Sequence, residues 1–211
     1  METINPQELT CMDESAKSAN IRIELAYARD DNLLFGERIY REDAQLWLHN
    51  DLARIVLEAA KILQEQGFRL ILYDGLRTTT AQEKMLETQR VKDNLHWLEE
   101  PRMLSPPGAG AHPRGMAIDC SLETMDGVLL DMATPFDDLS PKAHRNAEGI
   151  SEAARKNRLI LENAMLKAAQ NLDLPLTALL QEWWDFRFPP EIYERYAAFS
   201  DPGLPQQMRM T

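Results

Sequence analysis

Apolar residues recur at helical spacing over residues 44–66, where Leu48, Leu52, Ile55, Val56, Ala59, Ile62 and Leu63 form one stripe. Gly67 stands where a glycine would close that helix. A second stripe, Leu161, Met165, Ala168 and Leu172, predicts another long helix over residues 151–171. Elsewhere the period drops to two. Residues 21–27 alternate as a strand would, and residues 68–73 are a short, mostly apolar run suited to a central strand. Residues 116–122 alternate again, with Met116, Ile118, Cys120 and Leu122 on one face and Ala117, Asp119 and Ser121 on the other, so Asp119 should face away from the apolar side.

The remaining signals are local. Thr79 followed by Gln82 has capping-box spacing and predicts a helix from residue 80 towards residue 98. Asp126-Gly127 can turn a hairpin whose returning strand is 128–132, residues 182–188 are aromatic-rich and strand-like, and Pro189-Pro190 opens a last helix to about residue 199. Residues 99–111 hold three prolines and two glycines and read as irregular, as do residues 134–148. Residues 1–20 are polar and aperiodic, which suggests an extended arm. With no internal repeat and no linker, the economical architecture is one α+β domain spanning residues 1–211, an antiparallel sheet flanked by helices.

Composition narrows the class. At 211 residues and 44% hydrophobic, the chain can bury a core without a covalent staple. No leader pattern or long apolar run suggests export or a membrane span, and only Cys11 and Cys120 occur, so reduced thiols and a cytoplasmic location are expected. A net charge of −11 argues against a nucleic-acid partner.

The candidate chemistry starts at His112, which stands seven residues before Asp119 across a Pro113-Arg114-Gly115 turn. A hydrolytic metal centre needs three fixed ligands, an open position for water and a carboxylate beside that water. Glu182-Trp183-Trp184-Asp185 could supply the rest, and Arg77, just past a strand end, could hold an oxyanion. Bland readings stand beside these: Asp119 as a solvent-facing strand carboxylate, Glu182 as a surface acid and Arg77 as a helix-entry cation.

Five ordered segments carry a resemblance. Tyr73-Asp74-Gly75-Leu76-Arg77 with Ala81-Gln82, the run from His112 through Pro113, Arg114 and Gly115 to Asp119, and Asp131 through Pro135-Phe136-Asp137 come first. Asn157-Arg158 and Glu182-Trp183-Trp184-Asp185-Phe186 complete the set. In order, they resemble the zinc D-alanyl-D-alanine dipeptidases over about residues 27–188. The resemblance implies the α+β fold of the D-alanyl-D-alanine carboxypeptidases and lysostaphin-type endopeptidases. It also implies one zinc ion on His112 and Asp119, Glu182 as general base, Arg77 on the tetrahedral intermediate, and a small D-configured dipeptide as substrate.

Two positions depart from the family. Gly110 replaces a serine near the place where a dipeptide's end would be held, and Asp185 replaces the third ligand, a histidine. Aspartate is an acceptable zinc ligand, so the expected metal set is His112, Asp119 and Asp185, with a more oxygen-rich shell that also tolerates manganese. The added anion should make bound water less acidic and raise the pH optimum. The competing expectations are that Asp185 points away, leaving a binding or regulatory homologue with impaired turnover, and that the substrate is a related cell-wall peptide fragment.

Overall fold

In chain order the elements are β1 (Leu9–Cys11), α1 (Met12–Ala16), β2 (Arg22–Ile23), β3 (Trp47–His49), α2 (Asn50–Glu65), β4 (Phe68–Asp74) and α3 (Thr79–Leu86). They continue with α4 (Gln89–Asp93), β5 (Ala117–Thr124), α5 (Glu152–Asn171), β6 (Thr177–Ala178), β7 (Asp185–Arg187) and α6 (Pro190–Tyr193). This is a computed structural model that describes residues 1–100 and 102–211. Pro101, part of the stretch expected to be irregular, lies outside the described residues.

Five strands form one sheet in the order β2-β4-β5-β7-β6, and β1 pairs with β3 in a separate ladder. Every neighbouring pair in the large sheet is antiparallel except β2 with β4. The expected antiparallel sheet is present, with one parallel pair at its β2 edge. The chain leaves β2, passes through β3 and α2, and re-enters β4 in the same direction, which needs a long connection.

The paired positions Leu70 with Leu122 and Leu72 with Cys120 place four fully buried side chains on one sheet face. Leu52, Ile55, Val56, Ala59 and Leu63 of α2 and Leu161, Met165 and Ala168 of α5 join them in one buried cluster. Each such Leu, Ile or Val contributes roughly 1.5–3 kcal/mol on leaving water, so this face anchors the sheet. The opposite face carries Asp119, Ser121 and Glu123, all buried despite their polarity.

Several expectations change at their boundaries. Residues 1–20 are not a loose arm, because β1 pairs with β3 and Ile4, Leu9, Cys11, Met12 and Ala16 are buried. Elements of three and five residues are too short to show a period. The 44–66 stripe is divided, its first part being β3 and only Asn50–Glu65 helical. The 80–98 helix breaks in two: Thr78, not Thr79, caps α3 by accepting from Ala81 N, and Thr88 starts α4 in the same way. Gln82 closes no capping box. Its side chain instead accepts from Gly108 N at 2.8 Å and donates to Ala109 O at 3.4 Å, bracing the loop before His112.

The 21–27 strand survives only as Arg22–Ile23, and the turn at Gly127 returns with a single bridge, Glu123 to Leu129, rather than a strand. The last helix stops at Tyr193. Both cysteines are free and buried, and no helix is long and apolar enough to cross a membrane among the described residues.

Candidate metal centre

Three adjacent strands set the site. In register, Asp74 of β4 pairs with Asp119 of β5, and Asp119 pairs with Asp185 of β7, so three buried aspartates form a row across the sheet. Like charges directly opposite one another on neighbouring strands repel, and burial magnifies the cost. The row therefore requires cations. A β-bulge at Tyr73 creates half of it: the ladder steps from Leu72–Cys120 to Asp74–Asp119, leaving one extra residue on β4.

His112 reaches the row from a short turn whose end demands a glycine. Gly115 has φ +64°, and a Cβ there would come within 2.9 Å of Leu9 Cδ2 and 3.1 Å of His49 N. His112 Nδ1 lies 2.8 Å from Gly75 O. A carbonyl can only accept, so Nδ1 carries the proton, and in the neutral ring Nε2 turns its lone pair toward the carboxylates. Nε2 is 3.2 Å from Asp185 Oδ2 and 3.4 Å from Asp119 Oδ1, and that Asp119 oxygen is buried without a hydrogen bond.

These spacings fit a metal ion. Tetrahedral bonds of 2.0–2.2 Å hold their donor atoms about 3.3–3.6 Å apart, and His112 Nε2 stands near that distance from one oxygen of each aspartate. The carboxylates of Asp119, Asp185 and Glu182 also approach closely enough to share an ion. In a metal-free site a proton takes the ion's place. Burial and Arg77 press the His112 imidazole toward neutrality, but Asp119 and Asp185 prevail and raise it to about 10.

Glu182 lies in the turn just before Trp183-Trp184, whose fully packed indoles hold that segment against the core. Burial, reinforced by Asp185 and Asp119, pushes its carboxyl up to about 7, a value matched to proton exchange near neutral pH. Arg77 donates from Nε to Asp74 Oδ2 at 2.8 Å and from Nη2 to Asp119 Oδ2 at 3.2 Å, and stands 5.1 Å from the Tyr27 ring centroid. Asp74 is itself fixed by Tyr40 Oη at 2.7 Å. The structure thus brings Arg77, His112, Asp119, Glu182 and Asp185 together, and none of the bland surface readings describes them.

Three further residues belong to the site and were not singled out from the sequence. Arg187 donates from Nε to Asp185 Oδ1 at 2.6 Å and from Nη2 to Asp185 Oδ2, a fork that sets the carboxylate's angle. Opposing the burial of Asp185, this guanidinium and His112 keep its carboxyl well below the usual range. Positions i and i+2 of a strand share a face, and that rule could have found Arg187. Asp74 was the second. The third, Asp137, sat unassigned in a quoted motif: it takes a hydrogen bond from Tyr27 Oη at 3.0 Å, and its other oxygen is buried without a partner. Burial, then Asp119, raises its carboxyl well above the normal value.

One cavity is lined by Arg77, His112, Asp119, Asp137, Glu182 and Arg187, with Gly110 and the 103–105 loop on its rim. Arg114 secures that rim by donating to Gly108 O at 2.9 Å and Gly110 O at 2.8 Å.

The chain is similar to known peptidases. A sequence model described as D-ala-D-ala dipeptidase, of peptidase family M15, matches residues 7–201. A D-alanyl-D-alanine dipeptidase of Escherichia coli K12 is 30% identical over 190 residues, 87% of this chain and 90% of its own. One from Enterococcus faecium is 30% identical over 158 residues, 68% of this chain and 73% of its own. A solved Serratia marcescens L-Ala D-Glu endopeptidase superposes with a TM-score of 0.42 at 15% identity, covering 69% of this chain and 84% of that one.

Proposed function

The chain belongs to the D-Ala-D-Ala dipeptidase family of M15 peptidases, and from that premise we propose that it is a zinc-dependent dipeptidase of D-alanyl-D-alanine or a similar small D-configured dipeptide. The observation that carries the reading is the approach of Asp185 Oδ2 and Asp119 Oδ1 to 3.2 and 3.4 Å from His112 Nε2, with Glu182 beside the two carboxylates. Held by His112, Asp119 and Asp185, zinc would supply Lewis-acid activation of water and positive charge at the scissile carbonyl.

The chain's own groups do the remaining work. Glu182, with a carboxyl near 7, takes a proton from the attacking water and returns it to the leaving amine. Arg77, immobilised by Asp74, donates to the oxygen that gains charge. Asp137, with an unpartnered buried oxygen, accepts the substrate's ammonium group. Two free, buried cysteines suit a reducing compartment, and we assign the protein to the cytoplasm.

The test combines elemental analysis with a dipeptide panel on one preparation. One bound metal per chain and release of D-alanine from D-Ala-D-Ala are expected. Metal-loaded protein that cleaves nothing in the panel refutes the assignment. One observation favours the second reading, a binding or regulatory homologue: Arg187 already satisfies both Asp185 oxygens without a metal. Protein that purifies metal-free and cannot be loaded would support it.

A further inference from the structure

We propose that Arg187 determines the specificity of this site by binding the free carboxylate of a zwitterionic dipeptide in the space beside Gly110. The proposal rests on the dipeptidase reading and goes beyond it by assigning the acid end of the substrate. Arg187 spends Nε and Nη2 on Asp185, and its third nitrogen, Nη1, has no hydrogen-bond partner among the described residues. Its side chain keeps 17% exposure and lines the cavity.

Gly110 is the neighbour of that nitrogen. A Cβ at position 110 would lie 3.9 Å from Arg187 Nη1, so the missing side chain leaves the guanidinium edge open to an incoming group. The backbone there has φ +80°, which side-chain-bearing residues rarely adopt, and Gly110 O already accepts from Arg114. The two departures from the family, Gly110 and Asp185, are therefore joined in space by one residue.

Charge points the same way. A dipeptide carboxylate entering this cavity meets Asp119 and Glu182, which repel it. Arg77 is anchored by Asp74 and Asp119 for the oxyanion, and Arg187 is the guanidinium whose free nitrogen borders Gly110. Asp137, with its unpartnered oxygen, lines the same cavity. Asp137 Oδ2 as an acceptor and Arg187 Nη1 as a donor, both in this cavity, complement a molecule with a free amine and a free acid. A guanidinium can hold a second carboxylate through its outer edge, and a charge-assisted bond of this kind is worth about 10- to 100-fold in affinity.

The experiment compares D-Ala-D-Ala with D-alanyl-D-alaninamide, which lacks the acid. Turnover is measured for the natural protein, Arg187→Lys and Arg187→Met, and binding is read by calorimetry on Glu182→Gln protein, which needs no cleavage. The natural protein should favour the acid by about 10- to 100-fold, mainly through KM. Arg187→Lys should keep part of that preference, and Arg187→Met should reduce it below threefold. Because each variant is scored as a ratio on one preparation, a general change at Asp185 cancels. Protein that binds the acid over the amide yet cleaves neither refutes the dipeptidase reading and upholds this inference. Equal affinity for the two, affinity for neither, or an undiminished preference in Arg187→Met overturns it; if Arg187→Met does not fold, Arg187→Lys with the natural ratio unchanged does the same.

Discussion

Replacing Arg187 by methionine should destabilise the metal-free protein far more than the zinc-loaded one. Asp185 is fully buried and takes its fork from Arg187, while Asp119 and Glu182 press on it from nearby. Removing one partner of a buried pair leaves an uncompensated charge at about 3–5 kcal/mol. Arg187 retains 17% exposure, so solvent relieves part of that cost and about 2–4 kcal/mol is the appropriate range. For a chain of this size, each kcal/mol shifts Tm by roughly 2–4 °C, giving a drop of about 5–15 °C. Zinc supplies a replacement cation at Asp185, so saturating zinc should recover at least half of the loss. Circular-dichroism melts of natural and Arg187→Met protein, with and without zinc, provide the four values. A metal-free Arg187→Met protein melting within about 1 °C of the natural one would show that Asp185 is not held as described.

Three further outcomes are expected. Arg77→Ala should lower kcat by about two orders of magnitude with KM nearly unchanged, as for a lost oxyanion donor, and a rise in KM alone would contradict the role. Asp137→Asn should raise Tm at pH 8 and raise KM for the dipeptide: the folded carboxyl is held above its unfolded value by burial, so its stabilising contribution exists below that value and is lost as pH climbs. Melts showing no gain at pH 8 relative to pH 5 would refute the burial argument. Asp201→Ala should cost about 2–3 kcal/mol, roughly 4–12 °C, because buried Asp201 accepts from Thr78 Oγ1 at 2.7 Å and from Met210 N and Thr211 N at 3.1 and 2.8 Å; a melt unchanged from the natural protein would show that clamp to be idle.

The two long helices were readable because their stripes run for three turns or more and end at local signals, Gly67 and the Ser151 cap. Short elements were not. β1 and α1 are held by tertiary burial of Leu9, Cys11 and Met12, for which three to five residues carry no period. At the site, His112, Asp119, Glu182, Asp185 and Arg77 were named from spacing and resemblance, but how the strands align is a long-range property. Nothing local in β5 says that Asp119 will face Asp74 on one side and Asp185 on the other. Arg187 shows the cost of stopping at the motif. Counting Asp185 alone gave a more anionic centre and a higher pH optimum, whereas Asp185 paired with its guanidinium has the net charge of the neutral histidine that the resemblance implies at this position.

The bulge at Tyr73 makes the site unusually sensitive to changes in chain length. Deleting one residue within 69–71 would restore an even β4–β5 ladder with Asp74 still opposite Asp119, and the residues between the deletion and Asp74 would turn to the other face. Leu72 would leave its place beside Cys120 on the apolar face and Tyr73 would be driven into it, disrupting the packing under the aspartate row. A library of single-codon deletions should therefore show a sharp inactive window across β4. The turn at Gly127, exposed and tied to β5 by one bridge, should accept added or missing residues, as surface loops generally do.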